Sequence, residues 1–548
     1  MHTASAYKGM IITPHRLASE SGIAVLRKGG NALQAAIAAA ATLCVVYPHM
    51  TGLGGDTFWL ILPATAPGNA SGEPIALESC GRSAKLASHE WYTTRGCSSL
   101  PKRGPLAALT MAGAVAGWKE ALEIASAWPA SGTLSLAELL EDAVALAEEG
   151  FPVSPTQSDM TRAGLAELSA VPGFAGQFLS GGQAPAPGSR MRLPVLGRTL
   201  RRLSEEGLDG FYRGSLAEDM AADLEEAGSP LRLDDFTAHK ALAGKPLSLR
   251  LAGGTVYNTP PPTQGFASLA ILGLLERFAA HTGCDLNQKD VLIHAVVEAT
   301  KQAFLMRDRY LADPDFMERG AESLLDPALL DSLVRNMSLD HALPWPPEAL
   351  QKGAAGKANG DTVWFGAMDA YGNSVSCIQS IFHEFGSGVV LPRTGIAWHN
   401  RGLGFSFEQG TANSLAPRKR PFHTLNPAMA LLDDGRVISY GTMGGEGQPQ
   451  TQAAVFTRAV TLGLAPQAAV SEPRWLLGRS WGDQSFSLKL EASFSPDIFD
   501  RLRERGHVTE KMPALSSLMG HAGMLIRHRN GLLEGGFDPR SDGAAGCW

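Results

Sequence analysis

The chain has 548 residues, 44% of them hydrophobic and 18% charged, a composition that supports a sizeable core and excludes disorder and collagen-like structure. Its 47 basic and 54 acidic residues give a net charge of −7 and are mixed along the sequence. No field therefore draws it to nucleic acid or to an anionic membrane, and a small molecule is the expected partner. Length alone fits two to four domains, yet one large layered unit around a continuous core is expected.

The start, MHTASAYKGMIITPHRLAS, lacks a basic region followed by an apolar core, so secretion is not expected and a cytoplasmic location is. Gly29-Gly30-Asn31 precedes an alanine-rich run to Val46, with Asn31 suited to cap a helix and Pro48 to end it. The apolar run Ala35 to Tyr47 falls short of the roughly 18 residues of a membrane span. Gly52, Gly54 and Gly55 then read as a tight turn feeding a buried strand through Phe58 to Leu62. From Thr133 to Gly228 the pattern is mainly helical, with Leu136, Leu139, Leu140, Ala143, Leu146 and Ala147 on one face. The glycine-rich stretch Pro172 to Ser189 interrupts it as a surface loop. A second helical block runs from Phe266 to Phe304 with a break near Gly283, and Pro344 to Gly360 reads as a flexible, accessible linker. Val363, Phe365 and Ala367 then alternate, Asp369 to Asn373 supply a turn, and Val375, Cys377 and Ile378 resume a strand, which predicts a hairpin. Arg418-Lys419-Arg420, between Pro417 and Pro421, reads as a solvated loop.

Several residues invite a chemical reading. Six cysteines occur without a CxxC pair or a His/Cys cluster at metal spacing, which predicts a reduced compartment and no metal or other cofactor. His49, His294 and His399 lie in apolar surroundings and read as core or wall residues rather than ligands. A cut between Asp361 and Thr362, where linker meets strand, would put a hydroxyl and a free α-amine on one residue. With a pKa of about 8, that amine can take the hydroxyl proton during attack on a carbonyl. The loop Gly441-Thr442-Met443-Gly444-Gly445-Glu446-Gly447 offers backbone N–H groups for an oxyanion hole. A phosphate cradle is the alternative, but no GxxxxGK[ST] motif accompanies it. Gly478-Arg479-Ser480-Trp481-Gly482 matches a GxSxG nucleophile elbow, with Asp497 and His507 following in order, but Ser471 to Arg474 interrupts the strand an elbow needs.

Seven ordered segments carry a resemblance: GGNALQAAIAAAATLCVVYPHMTGLGGDTFWLI, AEEGFPVSP, NTPPPTQGFASLAILGLLE, YLADPDF, GDTVWFGAMDAYGNSVSCIQS, RPFHTLNPAM and GFDPRSDGAA. Together they resemble the γ-glutamyltransferase family of N-terminal-nucleophile hydrolases. The resemblance implies an α+β fold, a four-layer αββα sandwich, made as a precursor that cuts itself. The products would be a large subunit, residues 1–361, and a small subunit, 362–548, that remain together as one unit. Homo-oligomerisation is compatible with it. It implies Thr362 as nucleophile, Ser380 as the hydroxyl that orients it, Gly444-Gly445 as the oxyanion hole and Arg82 as the grip on a substrate carboxylate, a role suited to a planar bidentate cation.

The departures from the family pattern bear on the substrate. The paired serines of the γ-glutamyl site become His423-Thr424, the acid that holds the α-amino group becomes Gly404, an asparagine becomes Phe382, and Arg401 follows Asn400. A buried ammonium without an acid is costly, so an amino-acid substrate is disfavoured and a dicarboxylic monoamide, held by Arg82, Arg401 and His423, fits better. The run Ile381 to Gly388 with Asn400-Arg401-Gly402 resembles the oxamate amidohydrolase branch of the family. A γ-glutamyltransferase or glutathione hydrolase, a glutaryl-cephalosporin acylase and a degenerate small-molecule binding protein are the alternatives.

Overall fold

Asn31 accepts a hydrogen bond from the Gln34 amide while the Gln34 side chain accepts one from the Asn31 amide. This capping box starts the helix Ala32–Val46 at the predicted place. Every residue of that helix is buried, and its alanines let it lie close against the helix Arg16–Arg27. The computed structural model describes residues 2–64, 72–128, 134–345, 361–478 and 485–548, with Asp361 described through its backbone alone.

Two seven-stranded antiparallel sheets form the centre. One runs, edge to edge, Ala544–Cys547, Gly9–Thr13, Asp361–Asp369, Ser374–Phe382, Asp56–Leu62, Ile75–Ser79 and Leu242–Gly244. The other runs Ala4–Ala6, Leu533–Phe537, Ala522–Arg527, Val437–Thr442, Ala428–Leu432, Gly254–Asn258 and Leu247–Leu251. Strands from before and after residue 361 interleave in both sheets, so neither half of the chain completes a sheet alone. Helices Arg16–Arg27 and Ala32–Val46 cover the first sheet, and Gly265–Thr282 and Gln448–Phe456 cover the second. Met10, Ile12, Phe58, Leu60, Trp364, Met368, Ile378, Met429 and Leu525 fill the space between the sheets. The architecture is the four-layer αββα sandwich, α+β in class.

The predicted hairpin forms as the paired strands Asp361–Asp369 and Ser374–Phe382. Asp369 closes its turn by accepting from the amides of Tyr371, Gly372 and Asn373, and also accepts from the Ala32 amide. One carboxylate thus satisfies both a turn and a buried helix N-terminus. The second helical block is the pair Gly265–Thr282 and Lys289–Tyr310, parted at Gly283 with φ +66°. No described helix is long and apolar enough to cross a membrane.

Two expectations need correction. The stretch Pro172 to Ser189 contains a short helix, Phe174–Phe178, because both phenylalanines are buried against Phe385. The basic run is solvated only at Arg418: Lys419 and Arg420 are buried. The Lys419 ammonium donates to the carbonyls of Ala412 and Ser414, while Arg420 pairs with Asp313 and Glu78. Of the predicted linker, residues 346–360 lie outside the described residues, as do residues 479–482 of the GxSxG match.

Candidate active site

The ladder between Asp361–Asp369 and Ser374–Phe382 pairs Asp361 with Phe382 and Val363 with Gln379, so Ser380 and Ile381 together oppose the single residue Thr362. A bulge of this kind bends one strand and re-aims a side chain, and bulges recur beside active sites. Thr362 is buried, and its hydroxyl has no hydrogen-bond partner among the described residues. Ser380 Oγ accepts a 2.7 Å hydrogen bond from the Phe382 amide.

The strand Asp56–Leu62 lies on the other side of Ser374–Phe382 and pairs Ser380 with Asp56. The Asp56 carboxylate is fully buried. It accepts from the Gly81 amide at 3.1 Å, and His423 Nε2 and His399 Nδ1 lie 3.1 and 3.3 Å from its Oδ2. Burial alone would push this carboxyl up, but the two imidazoles outweigh it and hold it well below the usual range. Burial, with the Arg401 charge nearby, lowers His423 to about 3. Gly55 makes this packing possible: a Cβ there would meet the Ser380 carbonyl at 2.3 Å.

Arg401 is almost completely buried, 1% exposed, in a short helical turn Arg401–Gly404. Guanidinium Nη1 donates to Thr424 Oγ1 at 3.3 Å, Nη2 has no hydrogen-bond partner among the described residues, and the group lies over the Phe382 ring, 3.8 Å from its centroid. Burial lowers its pKa to about 9, which leaves it ionised at neutral pH. Asn400 positions this turn: its carbonyl oxygen accepts from the His383 amide and its amide donates to the Lys102 carbonyl. Gly404 has no room for the acid of the family pattern, since a Cβ there would stand 2.4 Å from the Phe422 carbonyl.

Gly444 and Gly445 adopt φ of +129° and +53° at the end of the strand Val437–Thr442, values that side chains disfavour. Gln264 ties this loop to the Arg401 site: its amide donates to the Gly445 carbonyl at 2.8 Å and to the Thr424 carbonyl at 2.9 Å, and its oxygen accepts from Arg307. Arg82 sits apart from Arg401 in its bonding. It is 44% exposed in its side chain and borders a cavity of about 190 Å³ with Glu78, Asp235, Lys240 and Arg418. Asp313, Asp315 and the Arg418 carbonyl already engage it, at 3.5, 3.7 and 2.9 Å.

Of the residues singled out from sequence, Thr362 and Ser380 face each other across the bulge, and Arg401 and Thr424 share a hydrogen bond. His423 is taken up by Asp56 and Asn400 by backbone. Asp56 and Gln264 were missed, and His399, read as a core or wall residue, is one that lies against Asp56. A lone acid at the head of the apolar run Asp56 to Leu62 was the available signal, because a charge there needs buried partners. His294 also joins a cluster that sequence spacing hid: its Nδ1 lies 2.8 Å from His507 Nε2, and Glu298 completes a group with metal-binding dimensions. That group is already bonded within the protein, His294 to the Ser338 carbonyl and Glu298 to Lys301 and the Leu343 amide.

Residues 18–548 match the family model described as gamma-glutamyltranspeptidase. The chain is 50% identical over 546 residues to the oxamate amidohydrolase proenzyme of Klebsiella pneumoniae subsp. pneumoniae, covering 100% of this chain and 99% of that protein. It is 40% identical to the glutathione hydrolase-like YwrD proenzyme of Bacillus subtilis, covering 98% of each. Among solved structures, a cephalosporin acylase from Bacillus halodurans superposes with a TM-score of 0.88 at 31% identity, over 100% of this chain and 97% of that one.

Proposed function

Because the chain belongs to the gamma-glutamyltranspeptidase family, we propose that it cuts itself between Asp361 and Thr362 and then hydrolyses the amide of a short carboxylate-bearing substrate, oxamate being the type, on Thr362. In the precursor the Thr362 hydroxyl adds to the Asp361 carbonyl, the C–N bond breaks to leave an ester, and water hydrolyses it. The products are residues 1–361, ending in a carboxylate, and residues 362–548, beginning with a free amine.

In the mature enzyme that amine takes the hydroxyl proton as the oxygen attacks the substrate amide. The backbone N–H groups of Gly444 and Gly445 stabilise the oxyanion, and Ser380 orients the hydroxyl. The amine then passes its proton to the leaving nitrogen, ammonia departs, and water releases the second product, oxalate when oxamate is the substrate. Asp56, with His399 and His423, keeps the strand carrying Ser380 in register. Arg82 stands at the outer cavity, where it meets the carboxylate on entry. The six cysteines are all unpaired, which supports a reducing compartment.

One observation carries the substrate reading: Arg401 presents a buried, ionised guanidinium over the Phe382 ring, with one nitrogen that has no hydrogen-bond partner and no acid in ion-pair contact among the described residues, the Asp56 carboxylate acting on it only from a longer distance. A carboxylate supplies that partner, while an ammonium meets repulsion and, at Gly404, no acid. The test is twofold. Denaturing electrophoresis should give two bands from the wild type and one from Thr362→Ala. The wild type should release ammonia from oxamate at least about 100-fold faster than it cleaves γ-glutamyl anilides, and equal rates would refute the assignment.

A further inference from the structure

Phe382 holds a backbone conformation that L side chains rarely adopt, φ +78°, at the point where its strand ends beside the proposed nucleophile. Two contacts hold it there. Its amide donates to Ser380 Oγ, and its Cα is paired across the ladder with Asp361. The ring that this conformation directs is only 3% exposed. Arg401 covers one neighbouring surface with its guanidinium 3.8 Å from the ring centroid, and the His383 ring stacks nearby at 4.5 Å and 26°.

A guanidinium held over an aromatic face has that side covered and offers ligands its N–H edge. Here one nitrogen of that edge is used by Thr424, which leaves Nη2 as the outlet for a ligand oxygen. Arg401 cannot swing away to accommodate a longer ligand, because burial surrounds it and the ring backs it. The attacking residue and the carboxylate anchor are therefore tied to neighbouring positions of one strand: Thr362 lies opposite Ser380 and Ile381, and Arg401 lies over Phe382.

We infer that Phe382 is the residue that sets acyl-chain length: it positions Arg401 so that the site takes amides whose carboxylate is joined to the scissile carbonyl directly or through one carbon, and it fills the space that a four- or five-carbon acyl group needs. This rests on the assignment of Thr362 as nucleophile and Arg401 as anchor. It adds that the selectivity resides in an aromatic side chain which itself makes no polar contact with the substrate.

The test compares ammonia release from oxamate, malonamate, succinamate and glutaramate by the wild type and by Phe382→Asn, asparagine being among the residues that best tolerate left-handed backbone. In the variant the kcat/KM ratio of succinamate to oxamate should rise by at least about tenfold. The KM for oxamate should rise by about tenfold with kcat changed by less than about threefold, since the anchor loses its backing while the nucleophile is untouched. A merely structural lesion would instead lower kcat for every substrate and leave the ratio alone, and an unchanged ratio in a folded, self-cleaved variant overturns the inference.

If Phe382→Asn fails to fold or to cut itself, the wild type decides, with oxalate, malonate, succinate and glutarate as competitive inhibitors of oxamate hydrolysis. Inhibition should weaken by about tenfold or more between malonate and succinate, and a flat series overturns the inference. Failure of the underlying assignment has a different signature: no monoamide is hydrolysed by the wild type, or hydrolysis persists in Thr362→Ala.

Discussion

Arg401 carries a buried charge with no contact ion pair among the described residues, the Asp56 carboxylate offsetting it only from a distance, and a buried cation so placed destabilises the protein that holds it. Such a cost is retained where binding uses it. Replacing Arg401 with Met should leave the fold as stable or up to about 2 kcal/mol more stable in urea denaturation, while kcat/KM for oxamate falls by about 100-fold or more. A large loss of stability would show instead that the guanidinium is structural. Gln264 predicts the opposite pairing of effects. It bonds the carbonyls of Gly445 and Thr424 and accepts from Arg307, so Gln264→Leu strands three buried polar groups and should cost about 2–4 kcal/mol. Activity should fall with it as the glycine loop loosens. These two residues also mark what a sequence discloses about a site. Thr362 stands out because linker chemistry stops and strand alternation begins there, and Arg401 because it departs from a family pattern. Gln264, Asp56 and His399 act only through partners distant in the chain, and no local spacing announces such pairing.

Among the elements, the strand Asp361–Asp369 shows how the two sheets are keyed together. Its Trp364 lies between them, donates through Nε1 to Ser376 Oγ, and presses on two glycines of the facing sheet. A Cβ at Gly441 or at Gly523 would stand 2.1 Å from the indole. Neither glycine has positive φ, so the constraint is room for the ring rather than backbone freedom. Gly523→Ala should therefore destabilise the protein by about 2 kcal/mol or more through overpacking, read from the midpoint of urea unfolding. An unperturbed midpoint would mean that the sheets can part at no cost. The hairpin, the capped helix Ala32–Val46 and the helix pair broken at Gly283 were legible because periodicity, caps and turn residues are local. The helix Phe174–Phe178 was not: tertiary burial of two phenylalanines overrides a glycine-rich context. Nor was the pairing of Gly9–Thr13 with strands near residues 366 and 545, since β-ladders join segments that sequence proximity does not relate.

For the molecule as a whole, the layered architecture was reached through a resemblance spread over the chain. What the resemblance did not convey is how many histidines this core encloses in the neutral form. Burial is the leading cause in each: it lowers His15, His239, His294 and His521 to about 4 and His423 and His507 to about 3. His49 and His383 are also lowered well below their ordinary value. The direction of the stability change is set by proton counts. Between these values and about 6.5, the unfolded chain binds protons that the folded chain refuses, so stability rises with pH through that window and is lost as pH falls. Glu78, Glu298 and Asp369, whose carboxyls burial raises, act in the opposite sense near and above the usual carboxylate range and offset part of the effect. Each histidine contributes about 1.4 kcal/mol per pH unit once its unfolded form is fully protonated. Half of the eight acting so give roughly 5 kcal/mol per unit near pH 5.5, comparable to the whole stability of an ordinary domain. Unfolding on acidification should therefore come between pH 6 and about 5, before most carboxylates titrate. Urea midpoints measured at half-unit steps from pH 8 to 5 should be flat down to about 7 and then drop steeply. Calorimetry in buffers of different ionisation enthalpy should count at least about four protons taken up on unfolding at pH 5.5. A midpoint that holds steady down to pH 5 would mean that these imidazoles are charged in the folded protein or reached by water.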